Sequence, residues 1–361
     1  MIEYPPPLPI VETDAVVIGA GPAGMFTVFQ LGLQGIHAHL IDALPHLGGQ
    51  CSELYTHKPI YDIPGIMACT GGELAKRLAT QMAPFAPTLH LDQQVQTLQC
   101  QPDGRWQLVT SKGTNLCAQA VVIAAGVGAF VPRTLKLTGI EALVTAAQPQ
   151  VHYHPANLAS LPLAGQHVLV VGGDELAVQA AIDALSHQPA SITLMHRREV
   201  FSAPDTLLTQ LQALQHEGRI RTLAAQPVAL NTVDRAPSGT TLHSVQVCWS
   251  DGRNETLPVQ QMLIYQGLSP KLGPLAHWGL AMEKKQLAVE TATFSVIDAD
   301  KPGLYAVGDI NTYPGKRKLL VCAFHEATIA AFAIAEQIRA APVLLQYTTT
   351  STQLHTLLGQ I

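Results

Sequence analysis

Two glycine-rich loops and one late Gly-Asp turn hold the residues of this chain best suited to chemistry. The first loop, Gly19-Ala20-Gly21-Pro22-Ala23-Gly24, has the make-up of an anion cradle. Gly19 permits the tight turn, Gly21 lets a pyrophosphate approach the backbone, and Gly24 lets the following helix pack closely on its strand. Asp42 stands at the roughly 20-residue offset where an acid holds the ribose hydroxyls of an adenine dinucleotide. The second loop runs Gly172-Gly173-Asp174-Glu175-Leu176-Ala177, and the apolar run after it ends in His196-Arg197-Arg198. Two guanidinium groups in place of an acid suit a 2′-phosphate, because each pairs with phosphate oxygens through a planar fork. Gly172, Arg197 and Arg198 therefore fit NADPH better than NADH. The third signature, residues 303–309, is an apolar run closing on Gly308 and the carboxylate of Asp309.

Such loops work only when a strand delivers the chain to them and a helix starts just beyond. Residues 15–18 and 38–41 read as strands around a helix over 25–33, and 167–171 and 191–195 as strands around a helix reaching 185. Residues 113–132 read as a strand pair ending in Ala-Ala-Gly, 148–165 as a loop-rich linker and 263–267 as a further strand. Residues 322–337 carry an alanine-rich helical period, with a start expected near His325 and Glu326. The fold class that follows is α/β with two Rossmann-like dinucleotide-binding domains.

With these residues assembled, the chain resembles the flavoprotein reductases with two dinucleotide-binding domains, and most closely the ferredoxin–NADP reductases of the thioredoxin reductase type. The stretches that carry the likeness are residues 44–65, 194–201, 268–280 and 303–320. The resemblance implies FAD in the first unit and NADPH in the second. It also implies a discontinuous flavin domain, 1–143 and 270–361, around an NADPH domain of 144–269. By the same likeness Gly19, Gly21 and Gly24 hold the FAD pyrophosphate and Asp42 its ribose, while Gln50, Tyr55, Val95, Phe130 and Asp309 also contact the cofactor. Tyr55 is expected to stack on the flavin, and Tyr347 with Thr350 in the C-terminal tail to cover its other face across a homodimer. The reaction implied is hydride transfer between nicotinamide and flavin, coupled to one-electron exchange with ferredoxin or flavodoxin. Acidic carriers of that kind would dock on Lys316, Arg317 and Lys318. Two positions depart from the family: Asp174 where relatives carry Gly, and Ser202 where they carry Arg. Both predict that NADPH binding is reduced or the loop rearranged, not abolished, because Arg197 and Arg198 remain.

Cysteine spacing separates the chain from dithiol relatives. There is no Cys-x-x-Cys, and the position five after Cys51 is Thr56, so none of the six cysteines has a near partner in sequence. Two other readings stay open, an NAD(P)H-dependent reductase of quinones or small disulfides and a redox-sensing flavoprotein with weakened nicotinamide binding. A net charge of -5 argues against nucleic acid as a partner. His152-x-His154 lacks acidic or thiolate companions, which argues against a metal site. The N-terminus has no basic segment ahead of an apolar core, and the nearest apolar run, 118–131, is too short to span a bilayer. These features lead us to expect a cytoplasmic protein without a membrane segment.

Overall fold

Short β-branched runs alternating with apolar helices bury their faces by lining up parallel strands under helices. The computed structural model describes residues 9–155, 157–235, 239–297, 302–343 and 348–359. Its two compact units are Met1–Phe130 with Pro270–Ile361, and Val131–Ser269.

In the first unit the strands Thr88–His90, Ala38–Ile41, Ile10–Ile18 and Asn115–Ile123 lie side by side in that order, all parallel. Leu304–Ala306 adds in parallel beside the second half of Asn115–Ile123. The first half pairs instead with an antiparallel meander, Trp106–Thr110 and Val95–Cys100. Central strand residues such as Val16, Val17, Val121 and Val122 are fully buried, because the sheet is covered on both faces. One cover pairs the helices Pro22–Leu33 and Leu320–Arg339, with the Phe26 and Phe324 rings 4.8 Å apart. The consequence is that Gly19, Asp42, Ala124 and Val307 all follow the carboxyl ends of neighbouring parallel strands, where sheets of this kind bind ligands.

Helix Leu320–Arg339 begins earlier than its periodicity suggested, and it is also the one described helix long and apolar enough to cross a membrane. That replaces 118–131 as the nearest candidate. Ala330, Ala331, Ile334 and Ala335 are fully buried in the first unit's core, and Glu326 inside the helix is fully buried too. It is a core helix.

The second unit repeats the scheme, with strands Val151–Tyr153, Gln261–Tyr265, His167–Gly172, Ser191–His196 and Arg221–Arg235 in parallel order. Gly239–Trp249 and Asn254–Pro258 continue it antiparallel. Pro227, which cannot donate to a ladder, sits at a register shift in Arg221–Arg235. The first crossing between units falls at Phe130/Val131, not at 143, because Ile140 and Leu143 pack into a core with Val151, Leu169 and Ile264. The stretch 148–165 is likewise part of this unit: Val151–Tyr153 is its edge strand and Leu163 is a core residue.

A histidine pair adjoins the first unit's parallel edge. His39, 7% exposed, has Nδ1 at 2.9 Å from His90 Nε2, and the rings stack at 5.1 Å. Burial, then the neighbouring His90 and His37, push His39 down from 6.5 to about 4. The unfolded chain thus takes up this proton near 6.5 and the folded chain only near 4, so stability is retained above 6.5 and lost as pH falls between the two values. Moving from pH 7 to 5 is expected to cost about 2 kcal/mol from this group, read as a lower urea midpoint. His39→Leu should flatten that part of the profile; an unchanged slope would rule the histidine out.

Candidate functional site

A cleft of about 570 Å³ opens in the first unit at the carboxyl ends of its strands, and Gly19, Gly21, Asp42, Gln50, Tyr55, Val95, Phe130 and Asp309 all line it. The loop's glycines do different work. A Cβ on Gly19 would sit 2.4 Å from the Ala124 carbonyl oxygen, and one on Gly24 would sit 1.8 Å from that of Gly19. Both positions are closed by the protein's own backbone. Gly21 differs, since a Cβ there would meet nothing nearer than Gly49 Cα at 3.9 Å. The room a side chain would fill at Gly21 is cleft, which suits a pyrophosphate lying against the backbone.

Helix Pro22–Leu33 begins at Gly21 with no side-chain cap and no acid in its first turn, and Pro22 occupies an early position where a missing N–H costs nothing. Its N-terminal dipole end is therefore available to an anion. Asp42 closes the other side. Its Oδ2 accepts from Ala20 N–H at 2.5 Å and its Oδ1 from Leu44 N–H at 2.8 Å. Burial raises its carboxyl above the ordinary aspartate value, while the two N–H donors work against that rise. The remaining lone pairs stay free for hydroxyl donors.

At the far end of the cleft Gln50 donates from Nε2 to Asp309 Oδ2 at 3.2 Å. Tyr55 is 39% exposed, with Lys58 Nζ 5.3 Å from its ring centre, so the aromatic plane is accessible to a stacking partner. Helix Leu320–Arg339 enters here with Leu319 as an uncapped start, and Leu319, Leu320 and Ala323 line the cleft. The cleft thus receives the positive ends of two helices, and this donor set fits an adenine dinucleotide with a second, electron-accepting ring system.

Two expectations change. Glu326 is not at a helix start: it lies in the second turn, and its two oxygens accept from Gly308 N–H, Asn311 Nδ2, Tyr313 OH and Lys316 Nζ. Lys316 is not a docking cation. Its side chain is 8% exposed and pairs with Glu326, which no protein partner could reach, whereas Arg317 and Lys318 are exposed. Thr350, expected at the flavin of a second copy, is exposed in the tail, and Tyr347 lies outside the described residues. Sequence reasoning also missed Lys58 beside Tyr55 and the buried role of Glu326. A carboxylate in the apolar first half of an alanine-rich helix, ten residues after a lysine, was the available signal.

In the second unit Gly172 ends its strand buried, with a Cβ there 2.3 Å from the Tyr265 carbonyl oxygen, and Arg197 and Arg198 are exposed at the end of the next strand. Asp174 does not simply face outward. It is the N-cap of helix Glu175–Asp183 and accepts from Ala177 N–H at 3.1 Å. Ser202 N–H donates to the Gly173 carbonyl at 2.8 Å and so braces the same loop. The second cradle is capped by its own side chain where the first is open. Of the two histidines weighed as a metal pair, His152 Nε2 is 2.9 Å from Gln261 Oε1, and His154 lies against the Tyr265 ring.

Cys51 is the cysteine that lines the flavin-type cleft. Burial, with Cys69 nearby, pushes its thiol up to about 11, so at neutral pH it is a poor nucleophile.

The chain matches the family model described as pyridine nucleotide-disulphide oxidoreductase over residues 13–327. It is 56% identical to a ferredoxin–NADP reductase of Paracidovorax citrulli, with 97% of each chain covered. A ferredoxin–NADP reductase of Verminephrobacter eiseniae is 52% identical over the same shares. Among solved structures it is similar to the thioredoxin reductase of Lactococcus lactis, with a TM-score of 0.57 and 21% identity over 91% of this chain and 99% of that one. At that identity the likeness concerns the fold alone.

The capped second cradle makes a direct prediction. Asp174→Gly removes a carboxylate from the anion's path and frees the Ala177 N–H, so NADPH should bind about tenfold tighter, equivalent to about 1.4 kcal/mol. Glycine is itself a tolerated N-cap, so the unfolding free energy should fall by only about a few tenths of a kcal/mol. Titration by calorimetry reads the first effect, and an unchanged or weaker dissociation constant would show that Asp174 is no obstacle.

Proposed function

The chain belongs to the ferredoxin–NADP reductases within the pyridine nucleotide-disulphide oxidoreductase family, and from that premise we propose that it moves electrons between NADPH and ferredoxin or flavodoxin through an FAD held in the first unit's cleft. The observation that carries this reading is the cleft itself. Two uncapped helix starts, the open space at Gly21 and the carboxylates of Asp42 and Asp309 converge there. When bound, FAD supplies the ability to take a hydride equivalent and release electrons singly.

The chain's own residues bind, orient and tune. Gly19 and Gly24 shape the turn, Gly21 admits the pyrophosphate, and Asp42 accepts from ribose hydroxyls. Gln50, Val95, Phe130 and Asp309 wall the far end, and Tyr55 gives the ring system an apolar plane that excludes water. The start of helix Leu320–Arg339 favours negative charge at that end of the cleft. Gly172, Arg197 and Arg198 in the second unit suit NADPH, the guanidinium pair taking the 2′-phosphate. With Cys51 held as a thiol, electrons leave to a separate carrier and not to a dithiol. A second copy of the chain would bring Tyr347 and Thr350 to the flavin, and the reaction would run in the cytoplasm.

Asp174 favours one further reading, a flavoprotein whose nicotinamide binding is weak enough that sensing replaces turnover. Anaerobic mixing separates them. For a reductase, the oxidised flavin absorbance is lost within seconds of adding NADPH, more slowly with NADH, and returns when oxidised ferredoxin is added. Persistence of the absorbance at saturating NADPH would overturn the reductase reading.

The carrier would meet the exposed cations Arg317 and Lys318, just before the helix start that lines the cleft. Reversing both to Glu is expected to raise the half-saturating ferredoxin concentration severalfold at low ionic strength, with the difference shrinking toward 0.5 M salt as screening sets in. Equal values for the two proteins at low salt would place docking elsewhere.

A further inference from the structure

The turn that presents Asp309 is held by side chains at several of its backbone groups. Gly308, at φ +80°, donates its N–H to Glu326 Oε2 at 2.7 Å, and its carbonyl accepts from Lys316 Nζ at 2.9 Å. Gln286 Nε2 donates to the Asp309 carbonyl at 3.1 Å and to that of Asn311 at 2.7 Å. Asn311 Nδ2 donates both to the Ala306 carbonyl and to Glu326 Oε2, each at 2.9 Å. Lys316 Nζ and Glu326 Oε1 then close on each other at 2.5 Å, with the Tyr313 hydroxyl also donating to Oε1.

This ion pair stands apart from the others. Lys316 and Glu326 side chains are 8% and 0% exposed, whereas each of the other ion pairs among the described residues leaves both side chains at least 22% exposed. Burying two charges is costly, and an apolar pair of similar volume would often be at least as stable. Stability alone therefore does not account for it. What charge supplies here is geometry: a carboxylate holds the N–H of one glycine and the ammonium paired with it holds that glycine's carbonyl, through charge-assisted bonds that neutral side chains make less tightly.

We propose that Lys316 and Glu326 form a clamp on Gly308 that positions Asp309 for FAD, with Tyr313 and Asn311 fixing the clamp's carboxylate. They are positioning residues, since neither lines the cleft. The inference rests on the reading that Asp309 faces FAD. It assigns Lys316 an internal task, distinct from the exposed Arg317 and Lys318 beside it.

The test uses the full-length protein freed of flavin, with Lys316→Met, Glu326→Gln and the double variant compared with wild type. Two quantities are measured: the FAD dissociation constant, and amide hydrogen exchange across residues 304–312 without FAD. The clamp requires each single variant to raise the dissociation constant tenfold or more and to speed exchange in that segment. The double variant should be no worse than the poorer single one, because the two residues act as a unit. Wild-type affinity in the variants overturns the clamp, and so does faster exchange with unchanged affinity, which would mark a purely structural pair. If wild type itself fails to take up FAD, the reading of the cleft falls instead, while the exchange measurement still reports on the turn. Should Glu326→Gln not fold, Tyr313→Phe removes one bond to the same carboxylate and should weaken FAD binding severalfold; an unchanged constant overturns the proposal.

Discussion

Backbone N–H groups left without partners at the starts of helices are the constraint around which the first unit is built. A helix start that caps itself is more stable alone, yet it is closed to an anion. Pro22–Leu33 and Leu320–Arg339 both begin without a side-chain cap, and both begin at the cleft. Elsewhere in the same unit Gly71–Met82 carries a full capping box from Thr70 and Glu73, as a helix with no ligand to receive would. The parallel sheet, the glycines at Gly19 and Gly24 and the half-buried Phe26–Phe324 contact all serve to bring the two open starts to one edge. Negative charge bound there completes what the chain leaves unsatisfied.

Much of this was legible in the primary structure, for reasons that particular residues make plain. Gly19, Gly24 and Asp42 are readable because only their types fit: backbone within 2.4 Å at two positions, and two N–H donors converging on one carboxylate at the third. Local pattern also gave the strands, since runs such as residues 15–18 are apolar throughout when both sheet faces are covered. Long-range contacts were not legible. The first crossing at Phe130/Val131 depends on Ile140 and Leu143 finding a core built from residues more than a hundred positions away, such as Ile264. Periodicity placed the last long helix but not its start, because Leu319 and Leu320 carry no capping signal.

The Lys316-Arg317-Lys318 run shows the same limit more sharply. Three adjacent cations look alike in sequence and invite one surface role. In the fold one of them turns inward to Glu326, and the two others remain in solvent. Only the exposed pair can act at a distance on an approaching carrier, because a buried and neutralised charge contributes little to the outer field. Charge patterning thus overstates a docking site wherever one member of a run has found an internal partner.

The two nucleotide loops of this chain differ at one position with a clear physical consequence. Where the first has Gly21, with space beyond its Cα, the second has Asp174 bonded to Ala177 N–H. An N-cap of this kind stabilises the empty loop by about 1 kcal/mol relative to an alanine. The same carboxylate must yield before a pyrophosphate can use that N–H. Ligand binding at the second loop therefore carries a rearrangement that binding at the first does not. A cofactor meant to stay would be served by the open loop, and one meant to come and go by the capped one, because the return of Asp174 to its own helix would favour release.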